Sequence, residues 1–164
     1  MKKFFLTQII ATACMAVYGQ AGNLDPNFGN GGIVRTDFGS PTNLYDNQGR
    51  EVLYHSNGSF YVVFEMMQQT FVAHYLQNGT LDMDYGENGY SVPVYIQNPR
   101  AVIQPDGKIV VGGITFINNN YDFALARFKT NGALDNSFSG DGKQTTDFSG
   151  ARDQINSLAL QSNG

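Results

Sequence analysis

The chain contains a single cysteine, Cys14, among its 164 residues. Cys14 lies in an N-terminal apolar run that follows Lys2 and Lys3 and gives way to small and polar residues, which is the outline of a secretory leader. We therefore predict a signal peptide over residues 1–20. Cleavage at its end would leave a mature chain with no cysteine and hence with no disulfide.

Residues 11–14, Ala-Thr-Ala-Cys, loosely resemble a bacterial lipobox, in which the cysteine is lipidated. Ala11 stands where a larger aliphatic residue is usual, and the apolar run continues beyond Cys14 where a polar tether is expected. We therefore favour Cys14 as a small apolar residue of the leader over Cys14 as a lipid anchor.

The chain also lacks an excess of positive charge and a long apolar run. It has 10 lysines and arginines against 14 aspartates and glutamates, which gives a net charge of −4. Binding to a phosphate backbone needs a basic surface, so we expect no nucleic-acid partner. The apolar run over residues 4–17 is interrupted by polar side chains and is shorter than the about 20 apolar residues of a membrane-spanning helix. We expect no membrane span.

No segment after the leader carries a sustained apolar pattern of period 3.6. Short runs of β-branched and aromatic residues are instead separated by Gly, Asn and Asp, and the 19 glycines suit a chain dense in tight turns. This pattern predicts an all-β, antiparallel fold.

One motif occurs three times, at residues 22–32, 79–89 and 132–142. Every copy reads Gly-x-Leu-Asp-x-x-(Phe/Tyr)-(Gly/Ser)-x-x-Gly without a gap. The nearly equal spacing indicates one supersecondary unit per period. We therefore divide the array, residues 21–164, into repeats over 22–78 and 79–131 and a truncated repeat over 132–164.

Each complete repeat contains four runs of strand length. We predict strands over 33–38, 51–55, 59–64 and 70–76 in the first repeat, and over 90–95, 100–104, 108–113 and 123–128 in the second. The third repeat begins with a similar run over 143–148 and ends at 157–164, which aligns with one hairpin strand and its turn. Four short strands per period favour a β-propeller blade over a solenoid coil, giving a partial propeller of about two and a half blades.

Turn chemistry supports this division. Asn57-Gly58 and Pro105-Asp106-Gly107 each stand between two apolar runs, and such residues favour the tight turn of a hairpin. Pro93 lies within a predicted strand, and since proline cannot donate to a ladder it predicts an edge strand or a bulge there.

Residues 101–113 read Ala-Val-x-Gln-Pro-Asp-Gly-Lys-Ile-Val-Val-x-Gly. Residues 123–142 begin with Phe-Ala-Leu-Ala-Arg-Phe-x-x-Asn-Gly-x-Leu-Asp and run to the end of the third copy of the repeated motif. Together with the repeated motif these segments resemble the delta-60 repeat of bacterial surface and secreted proteins. Residues 22–79 are a diverged copy, in which His74 stands where the second repeat has Arg127. The resemblance implies a propeller-like array, and it brings no established catalytic activity or ligand.

The best candidate metal site is Asp82-Met-Asp84-Tyr-Gly-Glu87. It fails the spacing of a helix-loop-helix calcium loop, because Gly86 stands at the fifth position of the loop, where an oxygen ligand is needed. We interpret the leucine and aromatic residue of each motif as core residues, and its Asp as an acceptor for backbone N–H groups of the next turn.

Catalytic motifs are absent from the sequence: there is no Gly-x-Ser-x-Gly elbow, and the Gly-Lys pairs at 107–108 and 142–143 lack the other residues of a phosphate-binding loop. His55 and His74 are the only histidines, and we interpret both as strand residues at a blade surface. Asp37, Asp147 and Arg127 recur with the repeat, which suggests charge pairs that bridge strands rather than catalytic groups.

We accordingly predict no catalytic, cofactor-binding or metal-binding residue in this chain. The expected function is a secreted or cell-surface module, exported across the inner membrane of a bacterium, that binds a protein or glycan or serves a structural role within a longer protein. The alternative is part of a carbohydrate-active propeller enzyme whose catalytic residues lie outside this chain. About two and a half blades cannot close a ring, so open blade edges are expected to favour self-association.

Overall fold

The computed structural model describes residues 22–38 and 47–162. Within these ranges the chain forms seven strands and no helix, which confirms the all-β prediction: β1 (Gln48–Tyr54), β2 (Phe60–Met66), β3 (Gln69–Tyr75), β4 (Gln97–Ile103), β5 (Ile109–Ile117), β6 (Asn120–Phe128) and β7 (Lys143–Thr146). No helix in the described part of the chain could therefore cross a membrane. The predicted signal peptide over residues 1–20 with Cys14, most of the loop before β1 and the final turn residues 163–164 lie outside the described residues.

The strands form two antiparallel sheets. The first has the order β1-β2-β3 and the second the order β4-β5-β6-β7. The turns at Asn57-Gly58 and Asp106-Gly107 connect β1 to β2 and β4 to β5, and both glycines have positive φ, +90° and +81°. Glycine adopts this region without steric cost, and both predicted hairpins are confirmed.

Each sheet takes its outermost segment from the following repeat. In the second sheet, β7 follows the third motif and pairs with β6. In the first sheet, residues 90–94 follow the second motif and run along β3, with bridges from Tyr90 to Ala73 and from Val94 to Thr70. Pro93 lies between these two bridges, at the edge of the sheet, as its missing N–H predicts. The sequence repeats and the sheets are therefore offset by one strand.

Three predicted strands do not form regular strands. Residues 90–95 make only isolated bridges, among them those to Ala73 and Thr70, and residues 33–38 make a single bridge between Ile33 and Asn30. Residues 157–162 form no strand at all. The segment 33–38 aligns with 90–95, whose partner is the last strand of the preceding repeat. In the described part of the chain no strand pairs with residues 33–38, so the segment forms no ladder there.

The two sheets pack face to face. Successive side chains along a strand point to opposite faces of its sheet. The side chains on the two facing surfaces form a shared core, called here the inter-sheet core. It comprises Tyr61, Val63, Val72, Tyr85, Val94 and Ile96 with Ala101, Ile109, Val111, Ala124, Ala126 and Phe128. Val63, Ile109, Val111 and Phe128 are fully buried, and each such side chain contributes about 1.5–3 kcal/mol of transfer free energy.

Glutamates of the first sheet also bind the backbone of β4. The Glu51 carboxylate accepts a hydrogen bond from the Ala101 N–H at 2.6 Å, and the Glu65 carboxylate accepts one from the Asn98 N–H at 2.8 Å. Glu65 also forms an ion pair with Arg50. Hydrogen bonds to a charged acceptor are stronger than neutral ones, so these contacts fix the position of β4 against the first sheet.

The opposite face of the first sheet carries a second apolar cluster, called here the outer aromatic cluster. It comprises Phe64, Phe71, Ala73 and Tyr75, with Val34, Phe38, Phe60, Val62, Met66, Leu81 and Tyr90 packed against them. Phe38 stacks on Phe64 with ring centroids 4.3 Å apart, and the Tyr75 hydroxyl donates to the Thr36 hydroxyl at 2.7 Å. Residues 33–38 thus lie over this face instead of forming a sheet edge.

Candidate functional site

The Asp of each repeated motif caps the turn that follows it. Asp25, Asp82 and Asp135 each accept a hydrogen bond from the backbone N–H two residues further on, at 2.9, 3.2 and 3.2 Å respectively. This is the Asx turn expected of such a residue, and the predicted structural role of the motif Asp is confirmed.

The second oxygen of the motif Asp pairs with a basic side chain on the strand before it. In one copy His74 Nδ1 lies 2.8 Å from Asp82 Oδ2. In the next copy Arg127 Nε lies 2.9 Å from Asp135 Oδ2, and Lys108 Nζ lies 3.6 Å from the same oxygen. Arg127 does form a charge pair, as its recurrence suggests, but its partner is the motif residue Asp135 and not Asp37 or Asp147. The reason is that the next motif folds back over the strand that precedes it.

An aromatic side chain completes each of these pairs. The Arg127 guanidinium lies over the Phe138 ring, 4.9 Å from its centre, whereas the His74 ring lies between Tyr61 and Tyr85, with centroid distances of 4.5 and 5.5 Å. The two copies therefore share one arrangement: a basic residue, the motif Asp eight positions later and the motif aromatic three positions after that. The constant spacing is the sequence signal that could have revealed the pairing.

Hydrogen bonding holds Asp135 in its charged form. The Ser137 hydroxyl, which donates to Asp135 at 2.8 Å, is the largest cause of a lowered Asp135 pKa, and the Arg127 and Lys108 charges lower it further. In the other copy, burial raises the pKa of Tyr61 and that of Tyr85, so both phenols stay neutral. His74 Nε2 and the Tyr85 hydroxyl are buried, and neither has a hydrogen-bond partner among the residues that the structure describes.

Three carboxylates approach one another at the far end of the second sheet. Each of Asp122, Asp147 and Asp153 has a carboxylate oxygen that lies within 4.8 Å of a carboxylate oxygen of the other two. Asp122 is buried, and its burial, followed by the charges of Asp147 and Asp153, raises its pKa. Asp147 accepts a hydrogen bond from the Gly150 N–H and Asp153 one from the Phe148 N–H, both at 2.8 Å. The two oxygens thus hold the turn that follows β7.

The other residues singled out in the sequence serve local structure. His55 follows β1, and its Nδ1 accepts a hydrogen bond from the Asn57 N–H at 3.3 Å. Lys108 pairs with Asp106 at 2.7 Å across the hairpin turn, and Lys143 pairs with Asp141 at 3.6 Å. Asp37 is exposed.

A groove of about 520 Å³ lies between the outer segment of the first sheet and strands β5, β6 and β7 of the second. Its lining includes Tyr95 and Phe116, which are 73% and 54% exposed. Polar side chains of β7 and the residues before it, among them Asp141, Lys143 and Gln144, line the same groove. Apolar and aromatic walls with a few polar groups are typical of a ligand site, and the volume lies within the usual range. Sequence reasoning missed this groove because it forms only where two repeats meet.

Residues 104–138 match a family model. The family is described as "Domain of unknown function (DUF5122) beta-propeller". The match spans β5, β6 and the third motif as far as Phe138. No curated protein and no solved structure matches the chain.

The match agrees with the fold in hand, which has two antiparallel sheets of three and four strands and no helix in the described residues. The β-propeller class predicted from the repeats is thereby confirmed. The resemblance to a β-propeller repeat is supported as well, while the delta-60 name itself rests on the motifs quoted above.

Proposed function

We propose that this protein is a secreted or cell-surface binding module of the β-propeller type, whose groove between the two sheets takes a glycan. The observation that carries the proposal is the exposure of Tyr95 and Phe116 on the walls of that groove. Large exposed aromatic side chains on a folded surface cost solvation free energy, so their presence in a concave site favours a binding role.

The chemistry of the groove fits a sugar. Aromatic rings offer flat apolar faces for the C–H faces of a sugar ring, and carboxylate, ammonium and amide groups can bond its hydroxyls. Asp141, Lys143 and Gln144 supply one group of each kind. Lys143 and Gln144 lie on β7, which is short and exposed along its whole length, and Asp141 is exposed in the turn before it, so these side chains are accessible from solvent.

Glycan-array binding tests this proposal. We expect Tyr95→Ala and Phe116→Ala each to weaken binding of the glycan selected on the array by about tenfold or more, which corresponds to about 1.4 kcal/mol. Tyr54→Ala is the matched control, because Tyr54 is 69% exposed but does not line this groove. Equal loss in all three variants, or no glycan bound by the wild-type chain, would contradict the proposal.

The proposed location rests on residues 1–20, whose charge and apolar run have the outline of a leader. N-terminal sequencing of the protein recovered from the medium or the cell surface tests it. A mature terminus near residue 21 is expected. An intact Met1 on protein retained inside the cell would contradict secretion, and a lipid-linked Cys14 would contradict the choice against lipidation.

A carbohydrate-active enzyme is the second candidate, and the cluster of Asp122, Asp147 and Asp153 favours it. Retaining glycosidases use two carboxyl groups about 5 Å apart, one of them kept protonated by a raised pKa. Burial and the charges of Asp147 and Asp153 raise the pKa of Asp122, and an oxygen of each of these neighbours lies within 4.8 Å of an Asp122 oxygen. Turnover of the bound glycan, measured as release of reducing ends, would favour the enzyme, whereas binding without turnover favours the module.

A further inference from the structure

Aligning the two repeats shows which face of the first sheet corresponds to which face of the second. When the hairpin turns at Gly58 and Gly107 are aligned, Phe60 and Val62 correspond to Ile109 and Val111. Ile109 and Val111 are fully buried in the inter-sheet core, where the first sheet covers them. Phe60 and Val62 point to the opposite side of the first sheet, away from the second. The outer face of the first sheet is therefore equivalent to the covered face of the second.

One strip of that outer face lacks its cover. On the first strands, Val52 and Tyr54 correspond to Ala101 and Ile103. Ala101 is buried and Ile103 packs against the inter-sheet core, whereas Val52 and Tyr54 are 66% and 69% exposed. Residues 33–38 pack over the outer aromatic cluster and leave these two side chains in solvent.

Two open grooves border this strip. One of about 400 Å³ is lined by Val52, Tyr54 and Phe60, and another of about 340 Å³ by Val62 and its neighbours. The exposed Val52 and Tyr54, together with the partly buried Phe60 and Val62 beside them, are called here the uncovered strip. Such a contiguous apolar surface at a concave site marks an interaction surface.

The interface inside the chain identifies what fits this strip. Within one chain, the first sheet covers β4 and β5 with the side chains of Leu53, Tyr61 and Val63. The corresponding residues of the second sheet are Val102, Val110 and Gly112. These three residues lie on the face of the second sheet that is turned away from the first sheet, because the residues next to them in sequence, Ala101, Ile109 and Val111, point toward the first sheet. Val102 and Val110 are partly exposed.

We propose that a second copy of this chain binds head to tail, with the outer face of its second sheet, around Val102 and Val110, seated on the uncovered strip of the first copy. The contact repeats between chains the packing that already joins the two sheets within one chain. It uses the faces of the sheets, and it does not depend on the groove proposed for ligands.

The far face of the second sheet is itself partly occupied. The side chains of Ile155 and Leu158 lie beside Gly112, close enough that a Cβ there would be 3.2 Å from each. Leu158 aligns with Ala101 and Val52, so it sits where the first strand of another sheet would pack. A second copy must therefore displace residues 155–158 from this face, since Leu158 occupies the place that Val52 of the second copy would take.

Such a contact joins two different surfaces, and a contact of that kind produces a closed ring or an open array. Two copies would bring four sheets of three or four strands together, which is at the lower end of the about four to eight blades that propellers contain. Pairing of two uncovered strips with each other is the competing geometry, and it would stop at a symmetric dimer.

Sedimentation velocity of the chain, purified as the cell produces it, tests the proposal over a series of protein concentrations. The wild-type chain is expected to associate. Tyr54→Glu places a charge on the uncovered strip, and Val102→Glu places one on the outer face of the second sheet. Each variant lacks one of the two surfaces of the contact, so each alone should be monomeric. An equimolar mixture of the two variants should restore one 1:1 dimer, since each retains the surface that the other has lost.

Tyr95→Glu is the matched control, because Tyr95 is an exposed aromatic residue outside both faces, and it should associate like the wild type. Val52→Glu and Val110→Gln repeat the test at second positions if either first variant fails to keep the wild-type circular dichroism spectrum. A wild-type chain that is monomeric throughout the series overturns the proposal. The proposal is also overturned if Val102→Glu associates by itself and its mixture with Tyr54→Glu forms no heterodimer. That is the result expected if two uncovered strips pair with each other.

Discussion

In the second and third copies of the repeated motif, the Asp performs two tasks at once. One oxygen caps its own turn, and the other binds the basic residue on the preceding strand, His74 or Arg127. The first task could be predicted from the sequence, because an Asx turn depends only on neighbouring residues. The second could not, because it depends on how the next motif folds back over the sheet.

The motif leucine gives a prediction at the residue scale. Leu134 packs against the inter-sheet core, so Leu134→Ala should lower the free energy of unfolding by about 2 kcal/mol, the lower end for such substitutions because the site is only partly buried. Chemical denaturation monitored by circular dichroism measures this change.

Leu24, the corresponding leucine of the first motif, is the matched control. It is 62% exposed, and Leu24→Ala should change the free energy of unfolding by no more than about 0.5 kcal/mol. A similar loss of unfolding free energy in both variants would contradict the structure, in which Leu134 is packed and Leu24 is exposed. The sequence predicts one role for all three leucines, and only the arrangement of the sheets distinguishes them.

At the scale of elements, the hairpins were predictable and the isolated segments were not. Asn57-Gly58 and Asp106-Gly107 set the two hairpins through turn geometry alone. Residues 33–38 have the composition of a strand, yet they form a single bridge, since strand formation needs a neighbouring strand as well as suitable side chains. Composition alone does not show whether that neighbour exists.

Close contact between β4 and β5 leads to a prediction for Gly113. A Cβ at Gly113 would lie 2.4 Å from the backbone oxygen of Gln97, so Gly113→Ala must push the two strands apart. We expect a loss of about 1–3 kcal/mol in the free energy of unfolding, measured by thermal and chemical denaturation.

Gly49 provides the comparison for that substitution. It is also a strand glycine, and a Cβ at its position would meet no atom within 4 Å. Gly49→Ala should therefore leave stability nearly unchanged. If Gly113→Ala were equally well tolerated, the close approach of β4 to β5 would be refuted.

At the scale of the whole molecule, the repeat is a unit of sequence and the blade is a unit of structure, and the two are offset by one strand. The second sheet is closed by β7, which belongs to the third repeat, and the first by residues 90–94, which belong to the second. This offset ties neighbouring repeats together, because one repeat alone supplies only part of any sheet. The groove, the charge pairs and the inter-sheet core all lie where repeats meet, so a reading of single repeats could not reveal them.

The offset between repeat and blade is tested most directly by cross-strand nuclear Overhauser effects in the isotopically labelled chain. The structure predicts backbone contacts that pair Phe123 with Thr146 and Ala126 with Lys143. Contacts of residues 143–146 with residues 157–162 of their own repeat, and none with β6, would contradict it.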